Sequence, residues 1–596
     1  MRGLFLFHLV LTLAGFCSMA QNPAGKNGLA EKKISRKIIR SITTSEADTT
    51  INQKSEQAFM PYQGRIIRKI IVQKIGFERS IYDTAKRKIV NDVTRIANSL
   101  HTNTRVQVIK DNLFFKEKKP LDPYKLADNE RHLRDLDFIL DATILVRPVR
   151  RSRDSVDVIV ITRDVFSLGG SFTPSSTDRY RVGLYDANLA GMGQRIEVNA
   201  LYDADRDPTI GTQILYAKNS VAGTFINATA SYTELNNGAS LGLENENALF
   251  LRLDRPLVSP YTRMAGGVEF SHNWSVNVFN KTEADFRNYQ YGIRDLWVGY
   301  NIGVKNRTKN RNRHFVAIRS FHQRFTKQPQ QSVEQTNPLY NNQSFVLGEV
   351  SFFNQNFYKT RYIYGFGRTE DVPYGQQLTL LAGSVKQLGR DRPYLGAELV
   401  KSLVRKNGDF NSFTLSAGGF YFNKQVEDVV LLANASLFSR IIDMNRFKLR
   451  HSVSITYSTI LNQTIVLPLR INSEFGLRRF NADSLLGNKR IGIHAESVLF
   501  TPLTILGFRF APMLFADMAM IAPQRQNLFR QQAYFGLGTG LRTRNENLVF
   551  GTIELRLYYF PVVTEDLSHF RVTLSSNLQV KYSSGFVKKP SFIRYN

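Results

Sequence analysis

The stretch ENLVFGTIELRLYYFP, residues 546–561, alternates: Val549, Gly551, Ile553, Leu555, Leu557 and Tyr559 fall on one parity, Thr552, Glu554 and Arg556 on the other. A period of two with apolar residues on one side is a strand with one dry face and one wet face. The same texture recurs from Phe166 onward, in TFINATASYTEL (224–235), MAGGVEFSHNWSV (264–276), QQLTLLAGSV (376–385), SFTLSAGGFYF (412–422), KLRHSVSITYS (448–458) and YFGLGTGLRTR (534–544). Segments of about ten residues with an apolar outer face, in a chain holding 25 Tyr and 42 Phe for interfacial girdles, meet the requirements of a transmembrane antiparallel β-barrel. Lipid cannot satisfy an open sheet edge, so the sheet has to close.

The first residues place the chain outside the cytoplasm. Arg2 precedes an apolar run from Gly3 to Phe16, and Ser18-Met19-Ala20 supplies a small-x-small cleavage pattern, so residues 1–20 read as a signal peptide. Phe16 is too large for a lipidation site at Cys17. Cys17 is the only cysteine, so the exported chain carries no disulfide framework and no thiol chemistry. Beyond Ala20 no run approaches the roughly 18–20 apolar residues of a membrane helix.

Lys and Arg total 79 against 50 Asp and Glu. Export argues against nucleic acid as the counter-charge and for outer-membrane lipid or lipopolysaccharide phosphates. Enzyme chemistry has no foothold: HExxH, GxSxG and a retained cysteine nucleophile are all missing, and the nine histidines form no compact ligand set. The expectation is a non-enzyme without cofactor or metal.

Residues 21–63 are polar and charged and read as a linker. Residues 64–165 differ. Arg65 to Phe77 is strand-like, and Ile89, Val93, Ile96, Ala97 and Leu100 fall at helical spacing. A second helix follows, with Asp122 as N-cap, Pro123 in its first turn and an apolar face of Leu126, Leu133 and Leu136. Strands Phe138–Val149 and Ser155–Phe166 complete a small α+β domain. This order, with a helix running into DFILDA and a hairpin ending in TRDVFSL, resembles a POTRA domain, the periplasmic module of outer-membrane assembly and secretion barrels. Residues 166–596 would then be the barrel.

Two further matches point to the same superfamily, which includes BamA, TamA and the two-partner secretion transporters. Leu477-Arg478-Arg479-Phe480 resembles its Val-Arg-Gly-Phe loop motif, with Arg479 where the family has Gly. SLLGNKRIGIHAESVLFTP (484–502) and FAD (515–517) resemble the strands that follow that loop. The resemblance implies a loop folded into the lumen, with Arg478 or Arg479 pinned by Asp517 or Glu496, because a charge in a confined site needs a carboxylate. By parity Arg490, His494 and Glu496 share one strand face. LYDANLAGMGQRIEV (184–198) resembles the family's early barrel turn, Asn188 with Gly191 and Gly193; as a nucleotide loop it fails, since Ile196 stands where GxGxxG needs Gly.

The family's barrel has sixteen strands, five of them after the loop, and five segments stand there: Lys489–Phe500, Phe508–Ile521, Ala533–Arg544, Leu548–Phe560 and Phe570–Tyr582. Ahead of the loop the candidate strands exceed the remaining eleven. By resemblance, the function implied is assembly or translocation. Unfolded outer-membrane or secreted clients would be received on the Phe138–Val149 edge by β-augmentation and inserted through a weak seam between SLGGSFTPSS (167–176) and the last strand, with accessory lipoproteins as possible partners. A secretion pore or plain channel is the alternative. An adhesin using the basic stretch Lys305 to Lys327 is a third reading.

Overall fold

The computed structural model describes residues 53–75 and 102–596, apart from 151, 153, 177, 237, 260–261, 304–311, 331–337, 483, 506–507, 546–547, 550, 565–566 and 579–587. The signal peptide, most of the linker and the helix expected over Ile89 to Leu100 lie outside the described residues.

The small domain is a three-stranded sheet with two helices. Strands β1 (Ile66–Ile75), β2 (Ile139–Pro148) and β3 (Ser155–Asp164) lie in the order β1-β3-β2, the first pair parallel and the second antiparallel. Helix α1 (Val106–Lys110) is one turn long; α2 (Pro123–Asp135) starts where Asp122 accepts a hydrogen bond from the Tyr124 amide at 3.1 Å. Leu126, Leu133 and Leu136 of the apolar face pack with Phe138, Ile144, Val158 and Val160 into the domain core.

The other face of α2 explains why a helix buries Asp128, Glu130, Arg131 and Arg134: it is pressed against one mouth of the barrel. Arg134 pairs with Asp371 at 2.6 Å and with Glu130 at 2.7 Å, and Lys359 reaches the same Glu130. Arg131 donates to the Val258 carbonyl at 3.0 Å and stacks 4.2 Å from the Phe357 ring. Opposed and hydrogen-bonded charges of this kind hold because removing either partner would strand a desolvated ion.

The same side chains cover the sheet edge expected to receive clients. Arg134 donates to the Ala142 carbonyl at 2.9 Å and Glu130 accepts from the Ile144 amide at 3.1 Å, so part of the outward edge of β2 is already bonded. Exposure begins at Leu145, 48% accessible.

The barrel runs β4 (Leu168–Pro174), β5 (Arg179–Asp186), β6 (Gln194–Asp203), β7 (Ile210–Lys218), β8 (Asn227–Asn236), β9 (Asn245–Arg255), β10 (Met264–Val276), β11 (Gln290–Ile302), β12 (Arg313–Lys327) and β13 (Gln343–Thr360). It continues through β14 (Glu370–Gln387), β15 (Arg390–Val404), β16 (Phe410–Phe422), β17 (Gln425–Phe438), β18 (Phe447–Leu461), β19 (Lys489–Phe500), β20 (Phe508–Ala522), β21 (Tyr534–Arg544), β22 (Thr552–Tyr559) and β23 (Phe570–Leu578). The sheet has 23 strands, three of which (Gln53–Lys54, Ile442–Met444 and Thr504–Ile505) are short additions, leaving a barrel of about twenty. The expectation of sixteen is therefore corrected. Five strands follow the arginine-bearing loop, and the surplus lies ahead of it. The ring closes where β23 lies beside β4; all other neighbouring pairs have a residue-by-residue register, and the described residues give none at this seam.

Parity sorts the side chains as the sequence implies. On β22, Thr552, Glu554, Arg556 and Tyr558 are buried, while Leu555, Leu557 and Tyr559 are 38–44% exposed on the outer face. Barrel diameter grows with strand number, so wall side chains alone leave the lumen of a twenty-strand ring unfilled. Into it fold the 462–488 loop and residues 588–596, which share one apolar core with the wall: Leu469, Ile471, Leu477 and Phe480 from the loop, Phe345, Tyr394 and Phe420 from strands, and Ile593.

Candidate functional site: the lumenal loop, its wall and the seam

Between β18 and β19 the chain turns inward, and a pair of glycines allows it. A Cβ on Gly492 would lie 2.2 Å from the Phe475 carbonyl oxygen, and one on Gly476 would lie 2.1 Å from that of Ile471. The loop backbone therefore rests directly on β19. Leu477 (0% exposed) and Phe480 (1%) anchor it, Phe480 lying 5.2 Å from Phe560 and 5.3 Å from Tyr534.

Arg479 adopts φ +64°, the left-handed conformation that glycine takes without penalty. It stands where the resemblance expects Gly, so the arginine is held in the glycine's backbone geometry. Its carbonyl accepts from Arg571 on β23 at 3.0 Å, and with Phe480 it lines a cavity of about 500 Å³ bounded by Thr173 and Pro174 of β4 and Phe570 and Arg571 of β23. Arg479 and Phe480 thus border the seam.

Arg478 points the other way. It is exposed to a second cavity of about 500 Å³, lined also by His494, Glu496, Asp517, Arg542 and Arg556, and among the described residues it has no ion pair. Glu496 is bound to Arg542 and Arg556, each at 2.8 Å, and Glu554 closes the square to both arginines at 2.5 Å. Asp517 takes its Oδ1 hydrogen bond from His494 Nδ1 at 3.0 Å, directly across the ladder. Asp517 Oδ2 and His494 Nε2 are buried without a partner. The arginine and the two expected carboxylates thus line one cavity; in this state Glu496 is engaged by wall arginines and Asp517 keeps one oxygen available.

The early barrel turn lies at the other end, against the small domain. Gly191 and Gly193 have φ +67° and +63°, Asn188 accepts from the Gly193 amide at 2.8 Å and donates to Thr104 Oγ1 at 2.9 Å, and the Gly191 carbonyl accepts from the Arg105 amide at 2.9 Å. The neighbouring turn brings Phe225 within 5.8 Å of His132, which also stacks 5.0 Å from Phe114. Burial, and then the adjacent Arg131 charge, push this histidine down to about 3. Its folded value lies below the unfolded one, so the stabilisation is complete above about pH 6.5 and is lost as pH falls from there toward 3. Acidification from pH 7.5 to 4.5 is expected to lower folding stability by on the order of 2 kcal/mol. Thermal melts of wild type and His132→Gln check this; an equal acid shift in both would assign the effect elsewhere.

The chain is similar in fold to BamA and CdiB. BamA from Haemophilus ducreyi lacking POTRA domains 1–3 aligns over 93% of this chain and 94% of its own, at 10% identity and TM-score 0.33. CdiB from Acinetobacter baumannii aligns over 88% and 77%, at 11% and 0.36, and CdiB from Escherichia coli over 92% and 96%, at 11% and 0.35. No family model and no curated sequence matches. Likeness at this level assigns neither family nor activity.

Sequence reading singled out Arg478, Arg479, Glu496 and Asp517 but not the wall arginines that hold Glu496. Their signal was present: Glu554 and Arg556 sit on the wet parity of β22. The basic stretch Lys305 to Lys327 is described from Asn312 onward and at 305–311 lies outside the described residues. Arg313 and Arg319 of β12 are buried, with Arg319 held by Asp295 at 2.7 Å, whereas Arg324 and Lys327 are exposed.

Proposed function

We propose that this protein assembles other polypeptides into the bacterial outer membrane, with the small domain in the periplasm and the β4/β23 seam as the exit into lipid. The observation that carries the reading is the inward loop: its Arg479 and Phe480 border the seam while Arg478 faces the cavity that holds Glu496 and Asp517. A loop placed between lumen and seam can couple what enters one to the opening of the other. β4 carries Gly169 and Gly170, and the Tyr185 ring covers Gly169 and donates to the Val549 carbonyl at 3.3 Å, so one end of the seam is closed by a side chain that can swing away.

Clients would pair with the exposed part of β2 from Leu145 onward and then with the seam strands, backbone bonds giving affinity independent of sequence. Arg478 would pair with the open oxygen of Asp517 when the loop shifts. Lipopolysaccharide and accessory lipoproteins are the further partners this reading expects. A lumen occupied by its own loop and by residues 588–596 favours seam insertion over a plain channel; export of one dedicated polypeptide is the second reading, and the large ring favours it.

The test is the folding rate of an unfolded outer-membrane client in liposomes holding the mature protein. Wild type is expected to accelerate folding, Arg478→Ala to lose about tenfold of that acceleration if its charge is paired in the working state, and Arg479→Gly to retain it. No acceleration by wild type for several clients, or equal rates for Arg478→Ala and wild type, would overturn the reading.

A further inference from the structure

The last nine residues of the sequence, KKPSFIRYN (588–596), run up the lumen between the wall and the loop, and the wall reads them largely through their backbone. Arg319 donates to the Pro590 carbonyl at 2.8 Å, Tyr394 accepts from the Ile593 amide at 3.2 Å, and Arg490 donates to the Tyr595 carbonyl at 2.6 Å. Two side chains add selectivity. Phe592 enters a box of three rings, with Phe345, Tyr394 and Phe420 at 4.8–5.8 Å, and Lys589 lies 2.7 Å from Asp295.

Arg490 makes this more than a packed tail. Its side chain is fully buried, and the acceptors it has are oxygens of the loop (the Arg470 carbonyl, 2.5 Å), of Ser458 at 3.5 Å, and of the tail, the Tyr595 carbonyl and Asn596 Oδ1 at 3.1 Å. Among the described residues no carboxylate pairs with it. If the tail left without replacement, a desolvated guanidinium would lose two of its acceptors, a costly state in a dry site. Exchange for another main chain keeps those oxygens in place, so substitution is far easier than vacancy.

We propose that this cleft is a binding site for extended polypeptide, filled in cis by residues 588–596, and that a client segment with a basic residue three positions before an aromatic one displaces them. The proposal deepens the assembly reading and rests on it for the source of the displacing chain. Tethering gives the tail a high effective concentration, so the resting lumen is occupied and a client has to compete.

The experiment records full-length protein in planar bilayers, with the synthetic peptide KKPSFIRYN added on the side of the small domain. Wild type is expected to be mostly closed. Phe592→Ala, which removes the aromatic anchor from the tail and leaves every wall residue in place, is expected to raise the open fraction at least about tenfold, the range for a central aromatic anchor. The peptide should restore closure of the variant, and a peptide with alanine in place of its phenylalanine should not. Heat-shifted migration on gels confirms that the variant barrel is folded. Unchanged opening in Phe592→Ala, or an open variant that the peptide fails to close, would overturn the proposal. Normal client acceleration without peptide closure removes the cleft alone; peptide closure without client acceleration removes the assembly reading and leaves the cleft standing.

Discussion

Gly492→Val is expected to drive the 462–488 loop out of the lumen. The new Cβ would lie 2.2 Å from the Phe475 carbonyl oxygen and 3.4 Å from Gly476 Cα, and because the backbone fixes a Cβ no rotamer relieves the clash. Overpacking of this kind costs about 1–3 kcal/mol where a neighbour can shift. Here the neighbour is a loop whose hold depends on Leu477 and Phe480, each contributing about 1.5–3 kcal/mol of burial. The two quantities are comparable, so the loop yields before the strand does. Trypsin should then cut at Arg478 and Arg479 much faster than in wild type, and client acceleration should fall by about tenfold or more, since 1.4 kcal/mol is a factor of ten. Gly492→Ala should behave as an intermediate case. An unchanged rate of cleavage would show that the loop is held by something other than its contact with β19.

Arg556→Met is expected to lower barrel stability by about 3 kcal/mol, the lower end for breaking a buried ion pair. The substitution removes two sides of the square formed by Glu496, Arg542, Glu554 and Arg556, in which every side chain is under one fifth exposed, and leaves two carboxylates sharing one arginine. It also takes the guanidinium off the Phe515 ring, 4.9 Å away. Replacing all four residues by Leu and Met should recover most of the loss, because a packed apolar patch matches a satisfied ion network in free energy. Urea midpoints for unfolding from liposomes measure both. A quadruple variant weaker than Arg556→Met would mean that the charges stabilise the wall beyond mutual satisfaction.

Periodicity made the barrel legible because outward and inward residues see different solvents. Leu555 and Leu557 against Glu554 and Arg556 is a pattern that only a two-faced strand produces. Strand number was not legible in the same way. Strands β14 and β15 are separated by Leu388 and Gly389 alone, and β16 and β17 by Asn423 and Lys424, so a run of alternation can hide a reversal. Lengths from 7 to 18 residues blur the count further. The candidate site was half readable. Parity put Arg490, His494 and Glu496 on one face, but which arginine meets Glu496 depends on register carried across β20 and β21. Residues 588–596 have no period at all, and their place follows only from a lumen too wide for its own wall.

The strand lengths have a consequence for the bilayer. β4, β5 and β22 have 7, 8 and 8 residues, whereas β13 and β14, halfway round the ring, have 18 each. At about 3.3 Å per residue the short strands reach ~23–26 Å before any tilt, and the long ones ~59 Å. A hydrocarbon layer of about 30 Å calls for strands of 9–11 residues. Lipid meeting the long side is spanned with room to spare, while lipid beside the seam has to thin or tilt to cover the apolar band. Seated in a bilayer, the ring is therefore a lopsided inclusion, with its short strands gathered at the seam and its long ones on the far side.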